Sequence, residues 1–266
     1  MDEKELIKAS LEGDKKSLEA LVNSVQNLIF NLSLRFLWNR MDAEDATQEI
    51  LIKLITNLGK FNGKSKFSTW AYRIATNHLL NLKKSTLEQA FSTFSIFTED
   101  LNSSLDVQGY DHADKEILEK EVKVGCTLAM LQCLDRDLRI TFILGAVLKL
   151  KSNIGAEITG TSSENFRKRL EKSRKLIGAF LNNQCGVYNP ANKCRCAKRI
   201  NPAIQHGRVN KQNLNFANKI ESYNKEMEEL NSLTGIYNNH GNFKKPSDFT
   251  KAINKLVLSK KIVNDN

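Results

Sequence analysis

No proline occurs in the first 184 residues of this 266-residue chain; all three, Pro190, Pro202 and Pro246, come later. Proline removes a backbone donor and collides with the preceding turn, so its absence leaves a long stretch free to be helical. Apolar positions follow that freedom. Leu18, Leu21, Val22, Val25, Leu28, Ile29, Leu32 and Phe36 recur at spacings of three and four, one stripe along a long helix. Asp42 is expected to cap the next helix, with Asp45 in an acidic first turn. Ala46, Ile50, Leu51, Leu54 and Leu58 continue that helix and Gly59 closes it. Further helices are expected over 67–84, 117–134 and 137–150, with shorter ones near 154–158 and 162–181. No alternating pattern of useful length argues for strands, so the expected class is all-α.

The length suggests two domains, and an apolar content of 41% suffices for their cores. The chain contains no run of ~18 apolar residues and starts MDEKELIKAS, so a membrane span or secretory signal is not expected and a cytoplasmic location is. Five cysteines, an odd number, argue against a disulfide framework. The net charge of +10 favours an anionic partner such as nucleic acid, although 28 asparagines and a lysine excess are also what A/T-rich coding produces. The distribution is more telling than the total. Residues 1–84 carry 13 basic and 10 acidic residues, 85–125 carry 3 and 9, 126–184 carry 10 and 5, and 185–266 carry 14 and 6. The acidic block includes Ser/Thr/Asn-rich text over 92–109 without helical period, which reads as a linker. Two helical domains, a linker and a distinct C-terminal extension are expected.

The first informative text is Asp42-Ala-Glu-Asp-Ala-Thr-Gln-Glu-Ile50, followed by Phe61-Asn-Gly-Lys-Ser-Lys-Phe-Ser-Thr-Trp-Ala-Tyr-Arg-Ile-Ala-Thr-Asn77. Helical spacing places Asp45, Gln48, Glu49 and Ile52 on neighbouring positions, a ridge suited to a basic protein surface or simply a solvated acidic face. Lys60, Lys64 and Lys66 flank a Gly-containing loop ahead of Phe67, Trp70, Tyr72 and Arg73; cations for phosphate beside aromatic faces are what single-stranded nucleic acid requires. Phe67 and Ile74 read equally as core, and Trp70 fits either role. In this order the two pieces resemble region 2 of the extracytoplasmic-function (ECF) sigma factors of bacterial RNA polymerase, whose text runs roughly D-A-E-D-x-x-Q-E-x-F, then F-x-G-x-S-x-F-x-T-W-L-x-R-I-A-x-N. Leu51 stands where Phe is usual and Ala71 where Leu is common. The resemblance, over 14–84, implies that Asp42, Asp45, Gln48, Glu49 and Ile52 dock on the polymerase. It also implies that Asn62, Lys64, Ser65, Lys66, Trp70, Arg73 and Asn77 capture the separated strand of the −10 element.

A second text, Leu150 to Leu176, contains a short helix, a turn at Gly160 and a Ser/Thr-capped second helix, a helix-turn-helix pattern. Phe166, Leu170, Ser173 and Ile177 face inward at three–four spacing. Asn165, Arg167, Lys168, Lys172 and Lys175 then line the outer face, either as a major-groove reader or as an ordinary cationic helix face. This resembles ECF region 4, roughly I-A-E-I-x-G-x-S-x-x-x-V-K-S-R-L. Gly155 replaces the usual Ile, Lys168 the usual Ser, and Phe166 is larger than the usual Val. The resemblance implies −35 contacts by Ser163, Asn165, Arg167, Lys168, Arg169 and Lys172. The expected organisation is region 2 over 1–84, an acidic linker over 85–113, region 4 over 114–183 and the extension over 184–266.

Cys185, Cys194 and Cys196 fall within twelve residues, and His206 follows. They could supply four ligands to Zn²⁺, act as a thiol redox switch, or do neither. The surrounding text is similar to extensions on some ECF sigma factors, many of which offer His directly after the last Cys, where this chain has Ala197. Cys126 and Cys133, seven apart on an apolar face, read as core thiols. Ile220, Tyr223, Met227, Leu230, Leu233 and Tyr237, then 252–258, suggest a helical hairpin. No Ser/His/Asp, Walker-type or paired-carboxylate arrangement occurs, so no enzyme activity and no required cofactor are expected. The expected function is an alternative sigma factor working with core RNA polymerase and promoter DNA, with an anti-sigma factor as a further partner. The competing expectations are a metal- or redox-responsive helix-turn-helix regulator acting without polymerase, and an anti-sigma-like interaction module.

Overall fold

The computed structural model describes residues 2–103, 109–217 and 242–245, and among them no strand occurs. The helices are α1 (Glu3–Leu11), α2 (Lys15–Leu37), α3 (Arg40–Thr56), α4 (Phe67–Asn81), α5 (Thr86–Ala90), α6 (Phe94–Ser103), α7 (Lys115–Gln132), α8 (Arg136–Phe142), α9 (Ser152–Thr159), α10 (Ser163–Gln184) and α11 (Ile200–Gln205). The described chain is all-α, and no described helix is long and apolar enough to cross a membrane. The hairpin expected over 220–237 and the helix over 252–258 lie outside the described residues.

Local chemistry sets the ends. Asp2 and Glu5 form a capping box on α1, and Asp14 accepts from the Ser17 amide at 3.0 Å to start α2. α2 stops at Trp38, a non-glycine residue in the left-handed region (φ 62°), whose ring packs edge-on against Phe91. The cap of α3 is Asn39, accepting from the Asp42 amide at 3.1 Å, so Asp42 sits inside the helix it was expected to begin. α3 ends at Thr56, and Gly59 falls in the 3₁₀ turn Leu58–Lys60.

One continuous apolar cluster joins α1–α4, α6, α7–α10, Phe216 and Phe243. α4 packs on both α2 and α9, so the segment carrying the region 2 motif and the helix-turn-helix share this core. Two arginines, Arg139 buried and Arg136 half-buried, tie the joint. Arg139 donates to the Leu131, Gln132 and Leu134 carbonyls closing α7 and to the Phe36 carbonyl closing α2. Arg136 donates to the Leu79, Leu80 and Leu82 carbonyls at the end of α4. Each cation thereby satisfies carbonyls that a helix terminus leaves without partners. Burial, partly offset by Glu88, lowers the Arg139 pKa to about 10.

Much of the 92–109 stretch read as irregular is helical: α6 covers 94–103, and α5 lies just before it, with Phe91, Phe97 and Leu101 buried. Glu88 of α5 reaches Arg136 at 2.6 Å and Arg139 at 3.1 Å. Burial raises its pKa, but the Arg136 hydrogen bond and both arginine charges prevail and leave it lowered. The helical period there was masked because only Phe94, Phe97 and Leu101 carry it amid polar text.

The extension is anchored by buried polar groups. Glu121 of α7, 1% exposed, accepts from three successive amides, Asn215, Phe216 and Ala217, at 2.7–2.9 Å. Asn31 of α2 bonds both backbone groups of Phe243, receiving its amide at 2.7 Å and donating to its carbonyl at 3.1 Å. Arg35 lies over the Phe243 ring. Arg208 pairs with Asp100 through two bonds.

Candidate nucleic-acid interface

The α3 ridge forms because Ala43, Ala46, Thr47, Ile50 and Leu54 turn inward. Asp45, Gln48 and Glu49 are exposed, while Asp42 and Ile52 are half-buried. Burial, with Asp45 beside it, raises the Asp42 carboxyl above the usual carboxylate range. Beneath the ridge lies His78 of α4, which sequence reasoning left unassigned. Its Nδ1 is 2.6 Å from Lys53 Nζ and its Nε2 3.6 Å from the Glu49 carboxylate. An ammonium can only donate, so Nδ1 accepts and the ring proton sits on Nε2 facing Glu49. Burial first, then the Lys53 charge, hold His78 below the ordinary histidine value, with Glu49 opposing them.

The loop before α4 turns at Gly63 (φ 68°), and Asn62 accepts from the Lys64 amide at 3.1 Å. Lys66 supplies no side-chain cap; Glu3 of α1 instead accepts from the Phe67 amide at 3.0 Å. Asn62, Lys64, Lys66, Arg73 and Asn77 are exposed, and Ser65 and Trp70 half-buried. Trp70 belongs to an aromatic trio with Phe61 and Phe67, ring centroids 5.3 and 5.6 Å away. Its half-exposure reconciles the two readings of this residue. A groove of about 480 Å³ runs past Trp70, Asn77, Lys53 and Lys60, with His78 in its wall. Lys60, expected from the sequence with Lys64 and Lys66, lines this groove, and Lys53 joins it as a further cation. Nothing in the spacing of Lys53 from Trp70 marked it, because it arrives from α3.

In the second region, Gly160 in the left-handed conformation (φ 65°) ends α9, and Ser162 caps α10 by accepting from the Asn165 amide at 3.2 Å. Asn165, Arg167, Lys168 and Lys172 are exposed, and Ser163 is half-buried. Arg169 is also half-buried and pairs with Asp137 of α8 at 3.0 Å, so its first partner is internal. Lys168 pairs with Glu164 at 2.7 Å on the surface, a contact worth ~0.3–0.5 kcal/mol at most. Phe166 is fully buried against Gly155, where a Cβ would lie 2.2 Å from its ring. The two departures from the family text therefore compensate each other.

Cys185 ends α10 and is joined to Cys194 by an isolated parallel bridge, and Cys196 opens the 3₁₀ turn Cys196–Arg199. His206 is exposed beyond α11 and does not line the cavity the cysteines share. Cys126 of α7 is half-buried rather than core, and it lines one cavity together with the three. Its place on an apolar helix face concealed it in the sequence.

Residues 21–86 match the sigma-70 region 2 family. The RNA polymerase sigma-H factor of Pseudomonas aeruginosa is 39% identical over 79 residues, 30% of this chain and 41% of that one. SigW of Bacillus subtilis, an ECF RNA polymerase sigma factor, is 40% identical over 74 residues, 28% of this chain and 40% of that one. The ECF RNA polymerase sigma-E factor of Haemophilus influenzae is 28% identical over 175 residues, 65% of this chain and 91% of that one. The chain thus spans about two-fifths of the first and second of these relatives and nine-tenths of the third. An all-α fold carrying the ridge, basic loop and aromatic helix within 21–86 defines a protein with a sigma-70 region 2. Together with the named relatives, this makes the chain similar to the ECF-type RNA polymerase sigma factors.

Proposed function

We propose that this chain binds core RNA polymerase and directs promoter-specific initiation. In this reading Asp42, Asp45, Gln48, Glu49 and Ile52 form the polymerase-docking ridge. Asn62, Lys64, Ser65, Lys66, Trp70, Arg73 and Asn77 hold the separated −10 strand, and the outer face of α10 reads the −35 duplex. The carrying observation is that an exposed acidic ridge and a lysine-edged aromatic groove lie side by side on α3 and α4 within the region 2 match. No bond is made or broken by the chain; opening is driven by preferring unpaired over paired DNA, with stacking contributing ~1–3 kcal/mol per base.

Geometry adds a requirement. Elements centred at −10 and −35 are about 85 Å apart along a duplex rising 3.4 Å per base pair. Here α4 packs directly on α9. Engaging both elements therefore separates these helices, so the packed arrangement is a closed form. Run-off transcription with core enzyme on genomic fragments tests the reading: promoter-specific transcripts are expected, and folded protein yielding none on any fragment overturns it.

A further inference from the structure

We propose that Cys126, Cys185, Cys194 and Cys196 form a four-thiolate site for Zn²⁺, which clips the extension to α7 and to the end of α10. These four thiols line one cavity of about 40 Å³, with apolar neighbours such as Val122 and Met130 and a single cation, Arg199. That space admits an ion but no organic ligand. Among the described residues no carboxylate or hydroxyl lines it, and the Gln184 amide is the other polar side chain besides Arg199. Thiolates therefore dominate the donor set and select a thiophilic ion.

Three local features suit thiolates in particular. The Val187 and Tyr188 amides donate to Cys185, and Arg199 Nε donates to Cys194 Sγ at 3.5 Å. Gly186 has no room for a Cβ, which would lie 2.1 Å from the Cys194 carbonyl oxygen. Only glycine lets the two cysteine segments approach this closely. Arg199 brings positive charge to Cys126 and Lys123 to Cys196, where Glu119 opposes it, around a centre that four thiolates and one Zn²⁺ would leave with net charge −2.

Among the described residues, no three such donors already stand gathered at ligating geometry. Binding therefore turns the thiols inward to Zn–S distances of about 2.3 Å. It forms four Zn–S bonds and releases four protons to solvent. His206 takes no part. This site stands independently of the polymerase and promoter reading.

The test uses the full chain, reduced and stripped of metal, then titrated with Zn²⁺ and separately with Co²⁺. One ion per chain is expected, with Co²⁺ giving the intense visible bands of tetrahedral thiolate coordination. His206→Ala should leave stoichiometry and spectrum unchanged, and Cys126→Ser should weaken binding at least tenfold and alter the spectrum. No binding by the wild type, or an unchanged Cys126→Ser spectrum and affinity, overturns the proposal. Alkylation of the wild type followed by mass spectrometry needs no variant. Zn²⁺ should protect Cys126, Cys185, Cys194 and Cys196 together, and protection that omits Cys126 would refute the four-thiolate set.

Discussion

Single residues in this chain matter through what they exclude or leave uncharged. Phe166 occupies the volume that a side chain at position 155 would need. Overpacking of that kind costs ~1–3 kcal/mol, more than the ~1 kcal/mol by which alanine outdoes glycine in a helix. Gly155→Ala should therefore destabilise, and adding Phe166→Val should recover most of the loss; a double-mutant cycle in urea measures the coupling. His78 gives a pH signature. Its folded pKa lies below the reference 6.5, so the unfolded chain takes up its proton first. Its contribution is complete above pH 6.5 and lost as pH falls through the folded value. Denaturant titrations of wild type and His78→Gln should differ by a constant amount above that pH and converge below it. Both positions show what sequence could give. Phe166 and Gly155 were visible as departures from a pattern, but their complementarity is a contact between two helices, which spacing along one chain does not reveal.

At the scale of helices, the periodic ones were legible because a long stripe repeats often enough to outweigh local noise. α2, α7 and α10 lie close to where their apolar spacing placed them. The short α5 and α6 were not legible, since their stability comes from tertiary partners. Glu88 is the clearest of these, buried between Arg136 and Arg139. Replacing it with Gln removes the carboxylate facing buried Arg139 and half-buried Arg136, and breaking a buried ion pair costs up to ~3–5 kcal/mol; thermal unfolding should show a clear loss. The candidate surfaces divide in the same way. Motif positions on α4 and the lysines around the preceding loop were named from sequence, whereas Lys53 joins their groove only through folding. On α10, Arg167 and Lys172 stand clear of internal partners, unlike Arg169. Removing both should weaken DNA binding and reduce the slope of log K against log salt by about 2, measured by fluorescence anisotropy.

At the scale of the molecule, the extension reaches α2, α6 and α7 at once through Asn31, Asp100 and Glu121, and in the proposed reading these contacts help hold the packed arrangement. Phe243→Ala should remove ~3–5 kcal/mol of burial, and the variant should scatter X-rays as a more extended particle. An unchanged radius of gyration would show that the core between α4 and α9 suffices alone. The pairing of Asn31 with Phe243 also has a consequence in time. The two residues are 212 positions apart. At ribosomal rates of ~5–20 residues per second, Asn31 waits roughly 10–40 s for its partner to be synthesised. During that interval Asn31 of α2 lacks the backbone partners it finds at Phe243. The nascent chain therefore passes through a stage in which α2 is complete before the residues that cover Asn31 exist.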